Sequence, residues 1–184
     1  MRKIFFFNMI SLDGYFEGPG ADISWHNVDA AFNDFAIEQL HSVDLILFGR
    51  KTYQLMESYW PTEAAVNNDP MVAKLMNNTP KIVFSKTLDK AGWNNTILIK
   101  NNVADEVLKL KRQAGKDIIV LGSANLLSTL INPGLIDEFR VIVNPVILGK
   151  GNLLFNGIQN KVKLELIRTA PFSSGNVLLC YRKM

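Results

Sequence analysis

Five short apolar runs dominate this chain: Ile4–Ile10, Leu45–Phe48, Ile82–Phe84, Ile97–Ile99 and Ile118–Leu121. Each has the length of a buried strand, well below the roughly 18 apolar residues of a membrane span. Segments with helical spacing lie between them. Phe32, Phe35, Ala36, Leu40 and Val43 step by three and four along one helix face, with Asn27 as a candidate cap. Thr52–Glu57 opens a second helix, and Ala104–Gln113 is a third amphipathic stretch. A fourth helix carries Leu126, Leu127, Leu130 and Ile131 and stops at Pro133-Gly134.

Strands alternating with helical crossovers imply parallel pairing in an α/β sheet. The C-terminal part differs. Glu138–Val143, Val162–Arg168 and Val177–Arg182 read as strands with no helix between them, and Ser173-Ser174-Gly175-Asn176 as the hairpin turn joining the last two. The expectation is a mostly parallel mixed sheet with an antiparallel C-terminal edge. The polar stretch Trp60–Asn78 reads as a surface excursion within one domain spanning residues 1–184.

Composition narrows the classes. With 184 residues, 48% hydrophobic and 20% charged, the chain has material for a sizeable core, which excludes a disordered tail, a collagen-like fibre and a coiled coil. The net charge of +3 comes from scattered lysines and arginines, not from the clustered basic face of a nucleic-acid binder. One cysteine, Cys180, allows neither an internal disulfide nor a zinc site of several thiolates, and reads as a small buried hydrophobe. The start, Met1-Arg2-Lys3 followed by Ile4-Phe5-Phe6-Phe7, imitates a signal peptide. Asn8 breaks the apolar run, no small-residue cleavage site follows, and Asp13-Gly14 arrives early. The expectation is a cytoplasmic protein that does not enter a membrane.

Chemistry concentrates where strands end. Leu45-Ile46-Leu47-Phe48 runs into Gly49-Arg50-Lys51-Thr52 and then a helix. Free N–H groups and the dipole at a helix N-terminus attract phosphate. Gly49 would permit close approach, Arg50 and Lys51 add charge and Thr52 a hydroxyl. The same residues would also make a plain tight turn with two solvated cations. The pattern recurs at Ser85-Lys86-Thr87 after the third run, and at Gly122-Ser123-Ala124-Asn125-Leu126 after the fifth. In open α/β sheets ligands bind outside the carboxyl ends of strands, so three such ends favour a nucleotide. No G-x-G-x-x-G follows a strand, and neither a phosphate-loop nor a nucleophile-elbow motif occurs.

The acid–base inventory is thin. His41 lies near a helix C-terminus and reads as structural, while His26 follows Trp25 in a loop and could line a pocket. Asp13, in Ser11-Leu12-Asp13-Gly14, is either a turn aspartate or a carboxylate facing substrate. Asp29 is either a favourable charge in the first turn of a helix or a functional acid. Asp137-Glu138 opens a strand and could equally be a functional pair or a solvated strand start.

Ser11-Leu12-Asp13-Gly14, Phe48-Gly49-Arg50-Lys51-Thr52-Tyr53, Gly122-Ser123, Ile136-Asp137-Glu138 and the block Pro145–Phe155 occur in an order that resembles the dihydrofolate reductase-like superfamily. The resemblance spans essentially the whole chain. It is closer to the branch holding the reductase domain of the riboflavin-biosynthesis deaminase-reductase. It implies a three-layer fold with a mixed sheet of about eight strands, NADPH across the strand ends, and a homodimer. Gly49 to Thr52 would lie beside the adenosine-side phosphates, Ser85 and Lys86 near the adenosine 2′-phosphate, and Gly122 to Leu126 over the pyrophosphate. Asp13, Trp25 and His26 would border the substrate, with Asp13 or Asp29 as the catalytic carboxylate.

Two departures qualify the resemblance. Ser123 stands where folate reductases carry the second residue of a Gly-Gly pair. Asp29 follows Trp25 one residue too closely for the folate-binding acid. A single cysteine cannot supply the deaminase's zinc signature, so a reductase domain without that activity is expected. The implied activity is hydride transfer from NADPH to a C=N or C=O carbon of a small heterocyclic or sugar-linked substrate. The alternatives are dihydrofolate reduction, or a non-catalytic dinucleotide- or flavin-binding protein.

Overall fold

A computed structural model describes residues 1–184. In chain order the strands are β1 (Ile4–Ser11), β2 (Tyr15–Glu17), β3 (Val43–Gly49), β4 (Lys81–Phe84), β5 (Thr96–Ile99), β6 (Asp117–Leu121), β7 (Glu138–Asn144), β8 (Asn152–Leu153), β9 (Leu164–Pro171) and β10 (Val177–Lys183). The helices are α1 (Ala30–Ser42), α2 (Arg50–Tyr59), α3 (Glu63–Asn68), α4 (Pro70–Asn78), α5 (Val103–Arg112) and α6 (Ala124–Ile131). Eight strands form one sheet in the order β5-β4-β3-β6-β1-β7-β10-β9. The first six of that order run parallel, and β10 and β9 add the antiparallel edge.

The period-two alternation of β1 explains the three layers. Ile4 and Phe6 point into a core shared with Val107 of α5 and Leu126, Leu127 and Leu130 of α6. Phe5 points the other way, into a core with Leu40 of α1, Tyr53 of α2 and Val72 and Met76 of α4. Both faces of the central strands are covered, so their runs are apolar throughout. Each large side chain buried there contributes about 1.5–3 kcal/mol.

Three expectations are corrected. Trp60–Asn78 is not an open excursion but contains α3 and α4, with Ala65, Val72, Ala73 and Met76 buried. The cap of α1 is Asp29, not Asn27: its carboxylate accepts the Phe32 N–H at 2.8 Å. Asp137 is no solvated strand start, because it accepts the Ile4 N–H at 2.8 Å and pairs with the buried Lys111 ammonium. Short β2 and β8 also form a separate two-stranded ribbon.

Cys180 is buried on β10, and burial pushes its thiol pKa up. No helix is long and apolar enough to cross a membrane.

Candidate active site

The sheet topology creates a crevice at one place. Strand β6 lies between β3 and β1. The chain leaves β3 into α2 and β1 towards α1, both on one face, but leaves β6 into α6 on the other. Connections that part to opposite faces at the carboxyl edge leave a gap between them. Gly49-Arg50-Lys51-Thr52 and Gly122-Ser123 stand at its two sides.

The first turns of α2 and α6 interlock. A Cβ on Gly49 would collide with Ser123 Oγ and lie 2.7 Å from Ser123 Cβ. A Cβ on Gly122 would lie 3.0 Å from Thr52 Cγ2 and 3.1 Å from its hydroxyl. The missing side chain of Gly49 therefore makes room for Ser123, not for a ligand as its position in the sequence suggested. Thr52 packs on Gly122 in the same way. The serine at the second position does not abolish the unusual backbone: Gly122 has φ +60° and Ser123 φ +66°. Holding serine there costs about 1–3 kcal/mol, part of which its hydroxyl offsets by capping α6 at Leu126 N, 3.4 Å away.

This interlock brings two helix N-termini together. Gly49 gives α2 no side-chain cap, so the first N–H groups of that helix keep their capacity for an acceptor. Beside them, Arg50 Nη1 donates to Thr87 Oγ1 at 2.7 Å, which joins the loop after β4 to the start of α2. Ser85 Oγ accepts from Thr87 N and Leu88 N at 3.2 and 2.9 Å and shapes that loop. Arg50, Lys51 and Lys86 are exposed. The three strand ends singled out in the sequence thus adjoin along β4, β3 and β6.

The substrate-side candidates behave differently. Asp13 Oδ1 accepts from Ser11 Oγ at 2.7 Å and Leu148 N at 3.1 Å, and Oδ2 accepts from Gly149 N at 2.7 Å. The Ser11 hydroxyl, followed by these backbone donors, holds its carboxyl below the ordinary aspartate value. Besides capping α1, Asp29 accepts from Ser173 Oγ at 3.2 Å and Ser174 N at 3.0 Å, tying the β9–β10 turn to that helix. Its carboxyl is also lowered, first by the Phe32 N–H. Burial pushes His26 down to about 4, so its imidazole is neutral, and it meets the Trp25 ring edge-on at 4.4 Å.

Sequence reasoning missed an asparagine network on this side. Asn144 and Asn176 are fully buried. Asn144 Oδ1 accepts from Asn27 N at 2.9 Å, and Asn176 Nδ2 donates to Asn27 O at 2.8 Å. The available signal was a polar residue next to an apolar run, as at Asn144 after Val143 and Asn176 before Val177.

The chain matches the RibD C-terminal domain family over residues 2–178. It belongs to that family. The uncharacterized protein YyaP of Bacillus subtilis (strain 168) is 38% identical over 182 residues, covering 98% of this chain and 94% of YyaP. Among solved structures, the Thermotoga maritima diaminohydroxyphosphoribosylaminopyrimidine deaminase/5-amino-6-(5-phosphoribosylamino)uracil reductase aligns with TM-score 0.71 and 16% identity. That alignment covers all of this chain and 57% of the Thermotoga chain. Enterococcus faecalis dihydrofolate reductase, complexed with NADP(H), aligns with TM-score 0.67 and 16% identity, covering 98% of this chain and 96% of that one. The RibD-domain family member described here therefore has the dihydrofolate reductase-like fold.

Proposed function

We propose that this chain is a cytoplasmic NADPH-dependent reductase acting as a single reductase domain. Its substrate would be a small heterocyclic or sugar-linked compound with a reducible C=N or C=O, of the kind named for the Thermotoga reductase. The observation that carries this reading is the interlocked pair of helix N-termini at the crevice, flanked by Arg50, Lys51 and Lys86. Converging N–H groups and exposed cations fit a dinucleotide carrying an additional phosphate. Gly49 to Thr52 and Gly122 to Leu126 would hold the diphosphate side. Arg50, with Ser85 and Lys86, would select the 2′-phosphate. When bound, NADPH supplies the hydride.

The protein's own part is positioning, with Trp25 and His26 bordering the substrate. Asp13 and Asp29 both have lowered pKa values and are ionised at neutral pH. Neither is poised to give a proton, so water is the donor in this reading. Dihydrofolate reduction is the weaker reading, since its candidate carboxylate, Asp29, is engaged as a helix cap and turn anchor.

Cofactor titration tests the proposal. Arg50→Ala should raise the NADPH dissociation constant by roughly 10- to 100-fold, the worth of a charge-assisted contact, and that of NADH by far less. Equal loss for both cofactors rejects the 2′-phosphate assignment. Cofactor binding without oxidation across a substrate panel would make the chain a non-catalytic dinucleotide-binding protein.

We also infer a homodimer, formed through the exposed apolar residues of the C-terminal strands. Val141, Ile142, Leu178 and Cys180 are buried in the chain's own core. Among the exposed apolar residues are Leu164, Leu166 and Ile167 side by side on edge strand β9, with Val177 on β10. Light scattering on the wild type and on Leu166→Lys tests this: a wild-type monomer rejects it.

A further inference from the structure

The Ser11-Leu12-Asp13-Gly14 and Pro145–Phe155 blocks are far apart in sequence, yet Asp13 joins them. Three of the roughly four acceptor positions of its carboxylate are taken. One donor is the Ser11 hydroxyl and two are the consecutive N–H groups of Leu148 and Gly149. Ser11 is fully buried, and its oxygen also accepts the Tyr15 N–H at 3.0 Å, which fixes the hydroxyl that orients Asp13. The segment it holds needs such an anchor. Gly149 and Gly151 have φ +71° and +145°, and a Cβ on Gly151 would strike the Glu17 carbonyl of β2. Backbone bonds lie on both sides, Leu12 N to Val146 O at 2.8 Å and the pairing of β8 with β2, while Leu148 and Gly149 between them are held by the carboxylate.

We infer that Asp13 is a positioning residue, not a proton donor: it acts through Leu148–Gly151, pinning that segment against the carboxyl end of β1 and so shaping the substrate side of the crevice. A charged acceptor for two successive N–H groups is worth more than a neutral one. An aspartate that spends its acceptors in this way has no proton to give and needs none. The word substrate here rests on the reductase reading above, whereas the clamp itself does not.

Amide hydrogen exchange on the ligand-free protein tests the clamp without any activity. Asp13→Asn keeps an acceptor for one N–H and loses the charge. It should speed exchange at Leu148 and Gly149 by about tenfold or more, the equivalent of one charge-assisted bond. Ser11→Ala should do the same to a smaller extent, and it decides the matter if Asp13→Asn does not fold. Unchanged exchange overturns the clamp. With 5-amino-6-(5-phosphoribosylamino)uracil and NADPH, Asp13→Asn should raise the substrate KM about tenfold, leave kcat within about threefold, and keep the wild-type pH profile. A collapse of kcat with loss of one limb of that profile would make Asp13 a proton donor and overturn the inference. If neither protein turns this substrate over, the substrate assignment fails, while the exchange rates still decide the clamp.

Discussion

The two halves of the carboxyl edge treat their charged residues in opposite ways. Along β4, β3 and β6 the charged side chains stay exposed and the helix start at Arg50 lacks a side-chain cap. Along β1, β7 and β10 the carboxylates are consumed by the fold: Asp13 by Leu148 and Gly149, Asp29 by Phe32 and Ser174. A cation at a strand end keeps its binding capacity when its neighbours are helix N–H groups, which do not pair with it. A carboxylate in the same setting is claimed at once, because those N–H groups are its partners. The half with unspent charge suits an anionic cofactor, and the other half suits a shaped, electrically quiet pocket.

The comparison breaks most sharply at Gly49. Gly49→Ala should cost about 3 kcal/mol in urea denaturation, since the new methyl meets Ser123. The double variant Gly49→Ala/Ser123→Gly should recover most of that loss. A strictly additive double variant would show that the two helix starts are not interlocked. In the other half, Asp29→Ala should lower the urea midpoint by less, through the lost cap and turn anchor. An unchanged midpoint would leave Asp29 free for the chemistry denied to it above.

Stability against pH separates the halves more gently. His26 is neutral down to about 4 in the folded chain, whereas the unfolded chain takes up that proton near the ordinary histidine value of 6.5. The unfolded state therefore binds more protons across this window, and stability falls as pH drops from about 6.5 to about 4. His26→Gln should flatten that decline, and an unchanged slope would place its cause elsewhere. Asp13 and Asp29 act lower: their lowered carboxyls contribute stability above the unfolded value of 3.8 and lose it as pH falls further.

A third effect is expected at Lys81, at the amino end of β4 and away from both halves of the carboxyl edge. Its buried ammonium donates to the carbonyls of Met76, Asn77 and Thr79 at 2.8, 3.1 and 2.7 Å, and burial lowers it to about 8. The unfolded chain holds that proton up to 10.5, so stability should rise modestly from pH 8 to 10.5, and Lys81→Met should remove the rise.

Much of the fold was legible because periodicity reports it directly. The apolar runs became β1, β3, β4, β5 and β6, and Leu126 to Ile131 became the buried stripe of α6. Helices α3 and α4 were not legible, because Asn67, Asn68, Asn77 and Asn78 dilute the few apolar positions that dock. The ribbon of β2 and β8 was not either, since strands of three and two residues carry no period.

The candidate site divides along the same line. Gly-Arg-Lys-Thr after a buried strand and Gly-Ser before an apolar helix are local patterns, and local steric and dipole rules act over a few residues. So the chain alone determined an α/β sheet with phosphate-compatible chemistry at three strand ends. Whether a particular atom remained available was decided by partners far along the chain. Asp13 meets a residue 135 positions away and Asp29 one 145 positions away, and the space beside Gly49 goes to Ser123. Hydrogen-bond capacity and volume are finite, and only the packed tertiary structure shows what has already claimed them.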